Sequence, residues 1–288
     1  MTPTFFPILQ IACLAIIATF LFFRARLEAR PLVLFRRLAL LSAAAWAGEN
    51  TCIRAYGFYE YTQSWWLFLD RVPLLIVLIW PIVIQSARDL ATCLWPGRDR
   101  PTALRVSLTV FALVLADASL IEPIAVQAGL WRWTEPGIFS VPPIGILGWA
   151  FFAAIAVFVF ERAAWLHRPW HEALVLLAAP TGTHALLVAS WWAFFRWVNW
   201  PLPSWPAPAL AWLTSITLLT LALRARTSRR VPRALLWIRL PAALFFFVLL
   251  ALRGKENPSL VAYALAFAPP YLALMRPTPP PSSVAPSP

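Results

Sequence analysis

An all-α, polytopic transmembrane bundle of about eight or nine helices is the fold this sequence predicts, and three observations predict it. Of its 288 residues, 61% are hydrophobic and only 12% charged, a balance foreign to a soluble domain of this size. The apolar residues gather in runs near the roughly 20 positions that a helix needs to cross a bilayer. The short connectors between those runs carry most of the arginines.

Taken in order, the first run covers 5–23. It is longer than the apolar part of a secretory signal, and Arg24, Arg26 and Arg30 follow it rather than precede it, so it reads as a retained span. The second, 35–55, is weakened at its start by Arg36 and Arg37, and the third, 65–84, contains Pro73 and Pro81. The fourth, 106–121, stops just before Glu122 and Pro123. Four further runs follow at 144–160, 173–195, 207–223 and 235–252. A ninth, 260–275, is weakened by Pro269 and Pro270, because proline inside a helix removes a backbone donor and crowds the preceding turn. No linker or internal repeat divides the chain, so residues 1–276 are expected to form one transmembrane domain. The Pro- and Ser-rich segment 277–288 cannot bury apolar area and is expected to be a disordered tail.

The formal charge of +12 would suggest nucleic acid in a soluble protein. Here the basic residues flank apolar spans, where they anchor helices and set topology, and no nucleic-acid partner is expected. If alternate connectors share a side, 18 of the 24 basic residues fall on one side and 6 on the other. That bias puts the first group in the cytoplasm of a bacterial-type inner membrane, with the N-terminus outside and the C-terminus inside. Trp65, Trp66, Trp131, Trp133, Trp191, Trp192, Trp197, Trp200 and Trp205 fall near the outer boundary, as an interfacial aromatic belt would. Cys13, Cys52 and Cys93 show neither disulfide nor metal spacing and are assigned to packing.

The informative residues are carboxylates, since an ionisable group inside a span costs at least ~2.5 kcal/mol and persists where it has a partner or a task. Glu49 and Asn50 lie deep in the second run, Asp70 early in the third, and Asp117 and Glu122 near the end of the fourth, all in the outer half of the bilayer. Asp117 and Glu122 are separated by ~140° around a helix, so they share a cavity only if Pro123 ends that helix and re-aims Glu122. Asp70 has Arg71 or Arg54 available as an ion-pair partner. His184 stands mid-span beside Thr183, where hydrogen bonding to a neighbouring helix accounts for it. His167 and His171 have the spacing of a metal pair, but Glu172 is their one nearby third ligand and no metal is assigned. No phosphate loop, Cys-x-x-Cys pair or nucleophile elbow appears, so no cofactor is expected and a substrate would arrive through the lipid.

Two blocks of sequence carry a family resemblance. The first is Glu49 with Tyr56-Gly57-Phe58-Tyr59-Glu60-Tyr61, then Pro73 and Trp80. The second runs Asp117 to Glu122-Pro123, through Gly129-Leu130-Trp131-Arg132-Trp133 and Val141-Pro142, to Leu147-Gly148-Trp149. Together they resemble the membrane proteins of carotenoid biosynthesis that include carotenoid 1,2-hydratases and bisanhydrobacterioruberin hydratase. The chain departs from that pattern with Glu122 where Asp is expected, Gly145 where Asn is expected, and a shorter gap between Glu49 and Gly57.

The resemblance implies a multi-spanning hydratase, a hydro-lyase that adds water across a terminal isoprenoid double bond of a polyene. Its catalytic roles fall on Glu49, Asp117 and Glu122. The substrate-binding set is Trp131, Trp133, Tyr59, Tyr61, Asp70 and Trp149, with Trp131 and Trp133 on one face of an extended segment. The implied partners are a lipophilic carotenoid or isoprenoid from the bilayer, membrane lipids, and other carotenoid enzymes. Elementary chemistry fits: hydrating an unactivated alkene needs a proton donor, a stabilised cation and a water, and carboxyl and aromatic groups supply the first two. The same protonation without water serves a cyclase or isomerase, and a lipid transporter or scaffold needs none of it.

Overall fold

The computed structural model describes residues 4–95, 102–197, 200–201, 203–224 and 232–274. Local chemistry sets the helix boundaries. Proline opens α2 (Pro31–Tyr56), α5 (Pro143–Trp165) and α9 (Pro258–Leu265), where a missing N–H costs no helical bond. Gly57, at a left-handed φ of 61°, closes α2 by donating its N–H to Ile53. The remaining helices are α1 (Phe5–Leu27), α3 (Leu74–Leu94), α4 (Ala103–Gln127), α6 (Val175–Ala193), α7 (Pro206–Arg224), α8 (Arg233–Arg253) and α10 (Ala268–Leu274).

Seven of the described helices are long and apolar enough to cross a membrane: α1 to α5, α6 with the short turn before it, and α8. The chain is an all-α, multi-pass membrane protein. α7 is apolar over the shorter stretch Pro206–Thr220. The ninth apolar run does not form one continuous helix. It breaks after α9, and α10 restarts so that Pro269 and Pro270 fall in its first turn, where proline is tolerated. By contrast Pro81, Pro123, Pro180 and Pro241 sit inside helices that continue past them. Neighbouring helices and side chains make that tolerable in a membrane bundle.

Five helices close a ring. α2 packs on α3, α3 on α4, α4 on α5, α5 on α6, and α6 returns to α2. The contact stripes have helical spacing and small side chains. α4 buries Val106, Val110, Val114 and Ala118, each four residues from the last, and α5 buries Ala150, Ala153, Ala156 and Val157. α1 and α8 pack outside the ring against α3, and α8 also against α4. Large apolar side chains such as Ile8, Leu177, Leu213 and Trp237 point outward, as a lipid-facing surface requires.

The two ends of the ring differ. At one end a two-stranded ribbon joins β1 (Tyr59–Tyr61), which follows α2, to β4 (Trp131–Trp133), which follows α4. Its antiparallel register places Tyr59 opposite Trp133, Glu60 opposite Arg132 and Tyr61 opposite Trp131. Bonds from Thr62 N–H to Leu130 (3.1 Å) and Thr134 N–H to Phe58 (2.7 Å) extend it at both ends. Beside it lies a small hairpin of β2 (Phe68–Leu69) and β3 (Val72–Pro73). At the other end, ion pairs tie helices together: Arg24 to Asp89 at 2.6 Å, Arg88 to Glu161 at 2.6 Å, and Arg36 and Arg37 both to Glu172 at 2.7 Å. Arg239, one of the 18 basic residues that the charge bias assigns to the arginine-rich side, lies within α8. The tail 277–288 and most of the connector after Arg224 fall outside the described residues.

Candidate functional site

A cleft opens inside the five-helix ring, beneath the ribbon. α2 turns Ala45, Gly48, Glu49 and Cys52 toward it, positions i, i+3, i+4 and i+7 of one helical face. α5 contributes Gly145, Gly148, Trp149 and Phe152, α3 contributes Trp80, α4 Glu122, and α6 Thr183 and Leu187. The ribbon supplies the cover. Strand alternation sends Tyr59, Tyr61, Trp131 and Trp133 to the cleft side, while Glu60 and Arg132 form an exposed ion pair on the other.

Two carboxyl groups stand in this otherwise aromatic and apolar space. Glu49 accepts on Oε2 from the hydroxyls of Tyr59 and Tyr61, the latter at 3.0 Å, and on Oε1 from Trp80 Nε1 at 3.0 Å. Burial, then the nearby Glu49 charge, pushes both tyrosine hydroxyls well above their ordinary range, so they remain donors. Glu122 accepts on Oε2 from Trp131 Nε1 at 2.8 Å and Trp133 Nε1 at 3.1 Å, and is almost wholly buried. Four of these five donors come from the ribbon. Trp80 stacks on Trp149 with ring centres 3.5 Å apart, and Tyr59 lies 4.6 Å from Trp133, so aromatic faces connect the two carboxyl groups.

Asp117 is placed elsewhere. α4 continues through Pro123 to Gln127, so the turn that would re-aim Glu122 does not occur and the two residues keep different faces. Asp117 pairs with Arg239 of α8 at 2.6 Å and accepts from the Tyr271 hydroxyl at 2.8 Å, and it does not line the cleft. Asp70 is also outside the cleft, at a positive φ of 56°. Donors from Arg54, at 2.7 Å, and Asn50, at 2.9 Å, hold its carboxyl below the usual range. His184 bridges Thr51 at 2.7 Å and Tyr56 at 2.8 Å across to α2. Thr51 donates its hydroxyl to Ala47, so it accepts from His184, and Tyr56 then donates to the other ring nitrogen. Glu172, the one third ligand available to His167 and His171, is taken by Arg36 and Arg37.

Of the residues singled out from sequence, the structure gathers Glu49, Glu122, Tyr59, Tyr61, Trp131, Trp133 and Trp149 at one cleft and leaves Asp117 and Asp70 outside it. Trp80, which stands in the first resemblance block without an assigned role, is a donor to Glu49. The pairing of the two strands has one signal in the sequence, the alternation of Tyr-Glu-Tyr and Trp-Arg-Trp with opposite charges at their centres.

The profile of the family described as carotenoid biosynthesis protein matches residues 4–219, from the start of α1 into α7 and through every element that builds the cleft. The chain belongs to this family. No curated protein and no solved structure matches it at significance.

Proposed function

We propose that the chain hydrates a terminal isoprenoid double bond of an acyclic polyene drawn from the bilayer, with Glu122 as the acid and Glu49 as the group that orients water. The observation that carries this reading is the pair of carboxyl groups in one aromatic cleft inside a membrane bundle. Their surroundings divide the work. Glu49 is engaged by donors on both oxygens and is arranged to accept. The two tryptophan donors converge on one oxygen of Glu122, which is compatible with a proton on the other.

In the proposed step the Glu122 carboxyl proton adds to the inner CH carbon of the terminal alkene, leaving a tertiary cation on the dimethyl-bearing end carbon. The faces of the Trp80–Trp149 stack and of Tyr59 stabilise that cation. Water held by Glu49 forms the C–O bond and passes its extra proton to Glu49, giving a tertiary alcohol. A proton returned from Glu49 to Glu122 restores the site. No redox partner enters the balance. A cyclase would use the same acid and let Glu49 take the proton that the ring-closed cation loses, so the mass of the product separates the two readings.

The family's isoprenoid chemistry supports a substrate drawn from the lipid, with other carotenoid enzymes as the neighbours that hand it over. The positive-inside bias supports an inner-membrane location with the ribbon end outward and the arginine-rich end in the cytoplasm. Expression in a host that makes lycopene tests the activity: a pigment heavier by one water at an end supports hydration, a cyclised isomer supports closure, and unchanged pigment removes the enzyme reading.

A further inference from the structure

Three glycines line the cleft: Gly48 on α2, and Gly145 and Gly148 on α5. Glycine inside a helix is less stable than alanine, so each position calls for a reason. Packing supplies it in two nearby cases. A Cβ on Gly182 of α6 would lie 2.8 Å from Ile155 Cδ1, and one on Gly145 would lie 2.4 Å from the Trp133 ring. Both glycines make room for a neighbouring side chain.

Gly148 is different. The nearest atom to a Cβ there is Leu187 Cδ2 at 3.6 Å, an ordinary van der Waals contact, and its backbone is helical rather than left-handed. Close approach of α6 therefore does not demand glycine at this position. The space left by the missing side chain belongs to the cleft, one residue before Trp149. Gly48 is intermediate, with Phe152 ring atoms 3.4 Å from its Cβ.

We infer that Gly148 sets the width of the cleft, and that the room it leaves is filled by a methyl-branched hydrocarbon chain passing α5 toward Glu122. This rests on the polyene reading given above and adds the residue that decides which chain ends fit. A single methyl added to or removed from an apolar pocket changes discrimination by roughly 10- to 200-fold.

The test uses the purified full chain in lipid nanodiscs, with lycopene binding read by quenching of tryptophan fluorescence and folding read by thermal melting. Gly148→Ala is expected to melt at the wild-type temperature or above it, since alanine favours the helix, while affinity for lycopene falls about ten-fold or more. Gly148→Leu is expected to weaken binding further. If Gly148→Leu fails to fold, Gly148→Ala decides alone. Wild-type affinity in Gly148→Ala, or a lowered melting temperature alongside weaker binding, overturns the width-setting role and leaves the polyene reading standing. Failure of the wild-type chain to bind lycopene overturns both.

Discussion

Glu122 and Asp117 lie on one helix, five residues apart, yet their surroundings assign them different work. Glu122 meets two indole donors in the cleft and Asp117 meets a guanidinium outside it. Glu122→Gln keeps shape and accepting capacity but cannot give a proton, so turnover should fall roughly 10²- to 10⁴-fold while insertion and melting are kept. Asp117→Ala should act on stability instead. It strands the half-buried Arg239 charge, a loss of up to about 3–5 kcal/mol, and the double replacement Asp117→Ala with Arg239→Leu should recover much of it. Thermal melting of the three variants checks this. A loss of turnover in the double variant, with folding restored, would return Asp117 to the chemistry. Glu49 and Glu122 were legible in the sequence because a carboxylate in a span is rare and calls for a reason. The partner of Asp117 was not, because Arg239 is 122 residues away and nothing local couples the two.

At the scale of the element, the ribbon is the device that makes the site. Neither of its three-residue strands could stand alone, and it is held by pairing, by Thr62 and Thr134, and by its aromatic side chains reaching two carboxyl groups. Replacing Trp131 and Trp133 together by Phe removes both N–H donors to Glu122 while keeping apolar bulk. Turnover should drop and its pH profile should shift, with melting changed little. An unmoved profile would make the tryptophans interfacial anchors only. Gly145→Ala should reach the same carboxyl from behind by pushing the Trp133 ring off its seat, lowering turnover more than the Phe change at Trp133 alone. That Trp131 and Trp133 share a face follows from alternation over three residues. Their pairing with Tyr59 and Tyr61 does not, because strands this short carry too little periodic signal to announce a partner some 70 positions on. The ninth apolar run was similarly readable as apolar but not as two helices, because whether a chain kinks or restarts at two prolines is decided by what packs around it.

At the scale of the whole molecule, composition and run length were enough to define a multi-pass helical protein, since bilayer thickness fixes how long each apolar stretch must be. The closed order of α2 to α6 was not readable, because every helix is apolar on most of its surface and periodicity gives no partner. The ring puts the ribbon at one end and the ion pairs of Arg24, Arg36, Arg37 and Arg88 at the other. A reporter active only in the cytoplasm, fused in the connector at His167, should be active, and one fused near Gln63 should be silent. The reverse pattern would turn the molecule over and place the ribbon inside. The most direct measurement is pigment analysis of lycopene-producing cells expressing the wild-type chain and Glu122→Gln at equal membrane levels. Wild-type cells should accumulate a carotenoid carrying a new tertiary hydroxyl at a chain end, and Glu122→Gln cells should retain lycopene. Unaltered lycopene in wild-type cells, or full hydration by Glu122→Gln, would contradict hydration by this cleft.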